Sequence, residues 1–98
     1  MIRMLSHSDV SELAEYATIP IINGLTQRAH PTQIMADIQT IEEYRGPLEG
    51  KIIAYSGDGN NMLASWIEAA TKFPFQLRMA CPPELSLDSA LIDDARTK

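Results

Sequence analysis

The feature of this sequence that most constrains its fold is a regular alternation of short apolar runs with segments of helical spacing. Each of four apolar runs is followed by a helical pattern, so the element order is β-α-β-α and then β-α-β-α. This order is typical of parallel strands joined by right-handed helical crossovers. We therefore predict an α/β fold built from parallel-sheet, three-layer αβα elements. The predicted strands are Ile2–Leu5, Thr18–Ile22, Lys51–Tyr55 and Gln76–Cys81.

Capping and turn residues predict where the connecting segments lie. Asn23-Gly24 is expected to turn the chain after the second strand. Val10 and Leu13 are expected on the buried face of the first helix, and Ser65 on the polar face of the third. The predicted helices run from Ser8 or Asp9 to Ala17, from Pro31 to Arg45, from Asn61 to Phe73, and onward from Ser86 or Asp88.

The second predicted helix begins at His30-Pro31 and carries the first candidate site. Pro31 suits the first helical position, where its missing N–H is no loss, and Gly46-Pro47 ends the helix. His30 then lies at the cap and Gln33 about one turn later, beside free N–H groups and the positive end of the helix dipole. Together they could reach one small anionic or carbonyl-bearing ligand. The alternative from spacing alone is a surface cap and a solvated glutamine.

Charge and composition exclude several classes of partner. With 8 basic and 13 acidic residues the net charge is −5, and no Lys/Arg cluster forms a stripe, so nucleic acid and anionic membranes are excluded as partners. The longest uncharged run, Tyr16–Gln27, contains Pro20 and Gly24 and is no membrane span. The single cysteine, Cys81, favours a reducing cytoplasm and cannot form an internal disulfide. We expect neither a metal nor a cofactor.

The predicted sheets are very small. Two strands in each half give a parallel sheet that needs cover on both faces, and its open edges invite pairing with other chains. We therefore expect the chain to be a piece of a larger protein, or to need partners for stability.

Three stretches together resemble the aspartate/ornithine carbamoyltransferase family, and specifically its ornithine branch. They are Ile19–Thr26, His30–Thr40 and Gly57–Met62, in the expected order and on the expected elements. The resemblance implies a partial carbamoyltransferase fold and transfer of a carbamoyl group from carbamoyl phosphate to the side-chain amine of ornithine, giving citrulline and phosphate. It also implies a role in arginine biosynthesis or ornithine/citrulline metabolism, and a trimer with active sites at the subunit contacts.

The resemblance also implies roles for individual residues. His30 and Gln33 would be catalytic and contact the carbamoyl group, with His30 donating to the oxygen on which negative charge develops. Arg3 matches an arginine that helps hold carbamoyl phosphate, since a planar guanidinium suits phosphate oxygens. Asn61 matches an asparagine that binds the backbone end of ornithine. The implied substrate-binding residues are Arg3, His30, Pro31, Thr32, Gln33 and Asn61.

Parts of the family pattern are missing from this chain. The Ser-x-Arg-Thr phosphate loop has no match, and neither does the later Ser-Met-Gly segment that grips ornithine. We therefore expect residues 1–46 to be the end of the carbamoyl-phosphate domain and residues 47–98 to be the start of the ornithine domain. Most of the phosphate-binding charge is absent, so little or no turnover is expected from the chain alone.

Three other readings stay open at this point. The chain could be a non-catalytic relict or assembly module that docks on full-length subunits, or a carbamoyltransferase with another amine acceptor. A dinucleotide-binding fragment is the third, because Gly57 and Gly59 form a G-x-G turn between a strand and a helix. Met62 stands where the third glycine of that fingerprint belongs, which weakens this last reading.

Overall fold

Four strands and four α-helices alternate along the chain in the predicted order, in a computed structural model that describes residues 1–98. A short 3-10 turn, Pro83–Leu85, precedes the last helix. No helix combines the length and the apolar character needed to cross a bilayer. The elements are β1 (Ile2–Arg3), α1 (His7–Tyr16), β2 (Asn23–Leu25), α2 (Pro31–Arg45), β3 (Ile52–Ser56), α3 (Asn61–Ala70), β4 (Gln76–Ala80) and α4 (Ser89–Arg96).

The strands form two separate parallel sheets, which confirms the predicted class. In the first sheet β1 pairs with β2, and in the second β3 pairs with β4. The second pairing is regular from Ile52 opposite Gln76 to Ser56 opposite Ala80. The first is interrupted by a register shift between Ile2 and Arg3. The second half of the chain therefore holds the better-formed sheet.

The second strand was wrongly predicted. It spans Asn23–Leu25, so the expected turn at Asn23-Gly24 is part of the strand, and the run Thr18–Ile22 only precedes it. Pro20 has no N–H to give a sheet, which disfavours that run. Gly24 lies so close to β1 that a Cβ there would stand 2.9 Å from the carbonyl oxygen of Ile2. Glycine is needed here for close approach of two backbones rather than for a turn.

The first helix differs from prediction at its cap and on its apolar face. Ser6 is the N-cap, and its hydroxyl accepts from the Asp9 N–H at 3.3 Å. Val10 is buried as predicted, but Leu13 is 43% exposed. Leu5, expected in a buried strand, lies outside β1 and is exposed. Few of the apolar side chains of β1, α1 and the residues between them are buried.

The hydrophobic core lies where α2 packs against α3 and the segments that precede β3 and β4. Trp66 and Phe75 meet edge to face, with ring centroids 5.9 Å apart, an arrangement that adds to simple burial. The 15 residues of α2 end as predicted at Gly46, which adopts a φ of 74°. The core cluster is Ile34, Ile38, Leu48, Trp66, Ala69 and Phe75.

The third helix begins at a well-made cap. Asn60 is the N-cap, and its side-chain oxygen accepts from the N–H groups of Met62 and Leu63. The helix ends at Ala70, three residues earlier than predicted. Ser65, predicted on the polar face, is instead buried. The last helix is capped by Asp88, one of the two predicted residues.

Candidate functional site

The candidate site is built at the start of α2, where His30 is the N-cap residue. The His30 side chain makes no capping hydrogen bond, and Pro31 occupies the first turn. Because the cap side chain does not fold back onto the helix, the N–H groups of the first turn are not consumed by it. The positive end of the α2 dipole therefore remains available to a ligand.

The imidazole of His30 has one buried and one accessible edge. Its Nδ1 is buried and has no hydrogen-bond partner, and Nε2 is not among the buried unpaired atoms. An N–H buried without an acceptor costs free energy, so a proton on the buried Nδ1 would be unfavourable. The tautomer with its proton on Nε2 would therefore present one N–H donor at the accessible edge.

The two residues after Pro31 use their side chains within the chain. The Thr32 hydroxyl donates to the Gly24 carbonyl oxygen at 3.4 Å and so ties the first turn of α2 to β2. Gln33 lies exposed, and its Nε2 donates to Asp37 Oδ1 at 2.9 Å. The Gln33 amide must leave this exposed bond before it can serve a ligand beside His30.

The loop that leads into His30 is closed by its own hydrogen bonds. Thr26 is fully buried, and its N–H donates to the Ala29 carbonyl at 2.8 Å. The Thr26 hydroxyl accepts from the Ala29 N–H at 3.2 Å and lies 2.9 Å from His7 Nδ1. The start of α1 thus also holds this loop.

Asn61, at the start of α3, contacts the same loop. Its Nδ2 donates to the Thr26 carbonyl oxygen at 2.9 Å. Because the partner is an acceptor, the nitrogen of the amide must face Thr26, and Oδ1 is left for another donor. One turn later, the Ser65 hydroxyl accepts from the His30 N–H at 2.8 Å. His30 and Asn61 are therefore brought to opposite ends of one five-residue loop.

Arg3 lies at the carboxyl end of β1. It is exposed and stands opposite Leu25, the last residue of β2. Neither of the two ion pairs in the structure involves it, since both lie within α4 or at its end. The predicted site residues therefore all lie where strands end and helices begin, which is where α/β folds bind ligands.

The turn that precedes Asn61 is firmly packed. The Tyr55 hydroxyl donates to the Asp58 carbonyl at 2.9 Å. Burial raises the pKa of Tyr55, the nearby Asp58 and Cys81 raise it further, and the hydrogen bond with Asn60 acts in the opposite direction. Gly59 donates its N–H to the Leu85 carbonyl, and a Cβ on Gly59 would collide with the backbone of the segment 85–87.

This packing argues against the dinucleotide-binding alternative. A glycine-rich turn holds a pyrophosphate through free backbone N–H groups. Here the Gly57 N–H donates to the Ala80 carbonyl at 3.1 Å, and the Gly59 N–H donates to Leu85. Neither N–H is free for a phosphate.

The cavities of the chain lie away from most of these residues. The first, about 490 Å³, lies between α2, α3 and α4; Pro31 and Ser65 line it, but His30, Gln33 and Asn61 do not. A second lies between α3, β4 and α4, and a polar third lies along α1. No group of three or more His, Cys, Asp or Glu residues could hold a metal ion. None of these three cavities is lined by His30, Gln33 or Asn61.

Sequence reasoning missed two residues of this arrangement, Thr26 and Ser65. Ser65 follows Asn61 by four residues, so both lie on one helix face. That spacing is a signal that pairs them, but their partners lie 35 residues earlier in the chain and cannot be read from it.

Comparison with known proteins identifies two adjoining matches. Residues 1–43 match the carbamoyl-P binding domain of the aspartate/ornithine carbamoyltransferases, and residues 49–98 match the Asp/Orn binding domain of the same enzymes. The chain is 62% identical to an ornithine carbamoyltransferase of Rhodopseudomonas palustris (strain BisA53) over 86 residues, which are 88% of this chain and 28% of that protein. An ornithine carbamoyltransferase of Nitrobacter winogradskyi is 55% identical over 99% of this chain and 32% of its own length.

Solved structures give the same result. The ornithine carbamoyltransferase of Burkholderia thailandensis superposes with a TM-score of 0.88 at 45% identity, over 91% of this chain and 31% of that chain. The catalytic subunit of aspartate transcarbamoylase from M. Jannaschii reaches a TM-score of 0.78 at 30% identity, over 97% of this chain and 32% of that chain. The chain thus spans about a third of the length of the proteins it matches.

Proposed function

This chain belongs to the aspartate/ornithine carbamoyltransferase family, and we propose that it supplies the junction between the two domains of an ornithine carbamoyltransferase site. Such a site transfers the carbamoyl group of carbamoyl phosphate to the side-chain amine of ornithine and yields citrulline and phosphate. The observation that carries the proposal is that the cap of α2 and the start of α3 meet at one loop, through the bonds from His30 to Ser65 and from Asn61 to Thr26.

His30 serves the carbamoyl donor in this proposal. When the neutral ornithine amine attacks the carbamoyl carbon, negative charge develops on the carbonyl oxygen; phosphate then leaves as the carbon–oxygen bond to it breaks, and it takes up the proton that the amine loses. An N–H of the His30 ring, aided by the positive end of α2, stabilises that charge. Gln33 contacts the same carbamoyl group after its amide leaves Asp37, and Pro31 and Thr32 shape the turn around it.

Arg3 and Asn61 each serve one of the two substrates. The unpaired, exposed guanidinium of Arg3 suits phosphate oxygens of carbamoyl phosphate. Asn61 binds the backbone end of ornithine. With Nδ2 held by Thr26, its free Oδ1 is an acceptor, which suits the α-ammonium group rather than the α-carboxylate.

The remaining parts of the proposal concern the whole protein. We assign residues 1–46 to the carbamoyl-phosphate domain and residues 47–98 to the ornithine domain. The proposed setting is arginine biosynthesis or ornithine/citrulline metabolism, in the cytoplasm, with a trimer as the assembled form. The experiment that follows also tests which amine is the acceptor and whether the chain has only a structural, docking role.

The test supplies the other two-thirds of the length of the matched proteins, which this chain does not span. In a chimera, the 97 residues of this chain that match the Nitrobacter winogradskyi relative replace their counterparts in that protein. We expect citrulline formation from carbamoyl phosphate and ornithine by the chimera, and little or none by the 98-residue chain alone. A folded chimera that transfers no carbamoyl group contradicts the proposal and favours the relict. Transfer to putrescine in preference to ornithine identifies another acceptor.

Substitutions in the chimera test the individual roles. His30→Ala is expected to lower kcat by about 100-fold to 1,000-fold, the usual effect of removing one donor to a developing oxyanion. Gln33→Ala has a matched control in Gln39→Ala, because Gln39 is also exposed on α2 and makes the same kind of bond, to Glu43. If Gln39→Ala lowers kcat as much as Gln33→Ala does, the loss is not specific to Gln33, and its proposed catalytic role is contradicted.

A further inference from the structure

One face of α3 holds the loop that carries His30. Asn61 and Ser65 are four residues apart on this helix, and they bond to the backbone of Thr26 and His30, which are also four residues apart. The two bonds, 2.9 and 2.8 Å long, fasten the two ends of the loop to consecutive turns of one rigid helix. The contact joins a segment of the first half to a helix of the second.

Ser65 is an unusual residue for its position. It is 3% exposed, and its neighbours Ala64, Trp66 and Ile67 are also buried. A buried hydroxyl costs free energy unless it is hydrogen-bonded, so an alanine would be the simpler choice for packing. The Ser65 hydroxyl accepts a hydrogen bond from the His30 N–H, a partly buried donor that would otherwise be unpaired.

We propose that Ser65 is a positioning residue for His30, a proposal that rests on the function proposed above. The bond fixes the backbone nitrogen of the cap residue, and the ring direction follows from the backbone because Nδ1 is packed in the interior. Ser65 touches neither substrate. It holds the His30 ring where the carbamoyl oxygen gains charge. Because Ser65 lies on α3, the same bond links His30 to the helix that begins with Asn61.

The kinetic test uses Ser65→Ala in the chimera. A misplacement of about 1 Å can cost on the order of 100-fold in rate, so we expect kcat to fall by about 10-fold to 100-fold. The KM for ornithine should stay within about twofold, because Asn61 keeps its bond to Thr26. Ser65→Thr should restore most of kcat, since it retains the hydroxyl and the cavity lined by Ser65 can take the added methyl group.

The matched control is Ala64→Gly. It lies on the same helix at comparable burial, lowers helix stability, and has no side-chain bond to the loop. We expect it to lower the melting temperature and leave kcat within about twofold. An unchanged kcat with Ser65→Ala, or an equal loss of kcat with Ala64→Gly, overturns the proposal.

A spectroscopic test uses the 98-residue chain, which contains only two histidines. With ¹⁵N-labelled histidine it should give two backbone amide signals, from His7 and His30. Ser65→Ala should shift the His30 signal upfield and speed its hydrogen exchange, and leave the His7 signal in place. An unmoved His30 signal rejects the bond. An inactive chimera with a shifted His30 signal instead rejects the proposed function and retains the bond.

Discussion

The two halves of the chain bury their apolar side chains to different extents. In the half that contains β1, α1 and β2, Val10 is buried, but Tyr16 and Ile19 are 80% and 70% exposed. In the other half, Trp66, Leu48 and Phe75 form one core with the buried face of α2. Because burial of apolar area is the main source of stability, the free energy of folding is concentrated in α2 and the second half.

The same difference affects how firmly the proposed site residues are held. Arg3 belongs to a half with little core of its own, whereas His30 and Asn61 are fixed to the packed half through α3. The groups proposed to meet the carbamoyl carbon and the amino acid are therefore held rigidly. The arginine proposed to meet the phosphate lies on a strand of two residues.

The largest expected effect comes from the core. Trp66→Ala should destabilise the chain by about 3–5 kcal/mol, because it removes a large buried side chain and leaves a cavity. Leu13→Ala in the first half should change stability by no more than about 0.5 kcal/mol. Urea unfolding of the two variants measures the contrast. Similar losses would show that the first half has a core of its own.

A smaller effect is expected at Gly59. An added Cβ would collide with the backbone of residues 85–87, and such overpacking costs about 1–3 kcal/mol. Gly59→Ala should therefore release the segment that precedes α4, seen as faster amide exchange in residues 83–96. Gly50→Ala is the control, since Gly50 also disfavours a side chain, with a φ of 74°, but has no atom within 4 Å of the added Cβ. If Gly50→Ala releases the same segment, the effect is global unfolding.

The helix caps extend the comparison to single hydrogen bonds. Asn60 accepts from two N–H groups at 2.9 and 3.2 Å, while Ser6 accepts from one at 3.3 Å. Asn60→Ala should cost about 1–2 kcal/mol and Ser6→Ala about 0.5 kcal/mol. Thermal unfolding of both variants gives the order. The reverse order would place more of the stability in the first half than its packing suggests.

The smallest effect is a dependence on alkaline pH. Because burial raises the pKa of Tyr55 above its ordinary value of 10.0, the folded state favours the neutral phenol. The stability that this adds is complete below pH 10 and is lost as the pH rises through the raised value. Stability measured against pH should fall above pH 10, and less steeply in Tyr55→Phe. Equal slopes would exclude Tyr55 as the source.

Local signals in the sequence predicted the elements whose partners lie nearby. Pro31 and Gly46 bound α2 as expected because a helix start and stop depend on local backbone geometry. The Asn23-Gly24 pair was misread because turn propensity is also local, whereas its place in β2 depends on Ile2, some twenty residues earlier. Ser65 was misread for the same reason, since its partner is the N–H of His30.

In the candidate site, too, local sequence signals predict some features and long-range packing determines the others. The position of His30 at a helix cap follows from Pro31 alone, and the structure confirms it. That Asn61 turns its Nδ2 toward Thr26 depends on how α2 and α3 pack, which no local pattern encodes. The catalytic and binding roles of these residues stay predictions for the chimera to test.

The second helix has a thermodynamic consequence of its own. Its 15 residues form a rod of about 22 Å, with the His30 cap at one end and Ile34 and Ile38, one and two turns on, anchored in the core. A molecule that binds only the ordered cap stabilises the folded chain by an amount that grows with its concentration relative to its Kd. A rise in the melting temperature, followed through the environment of the buried Trp66, would thus report occupancy of the cap.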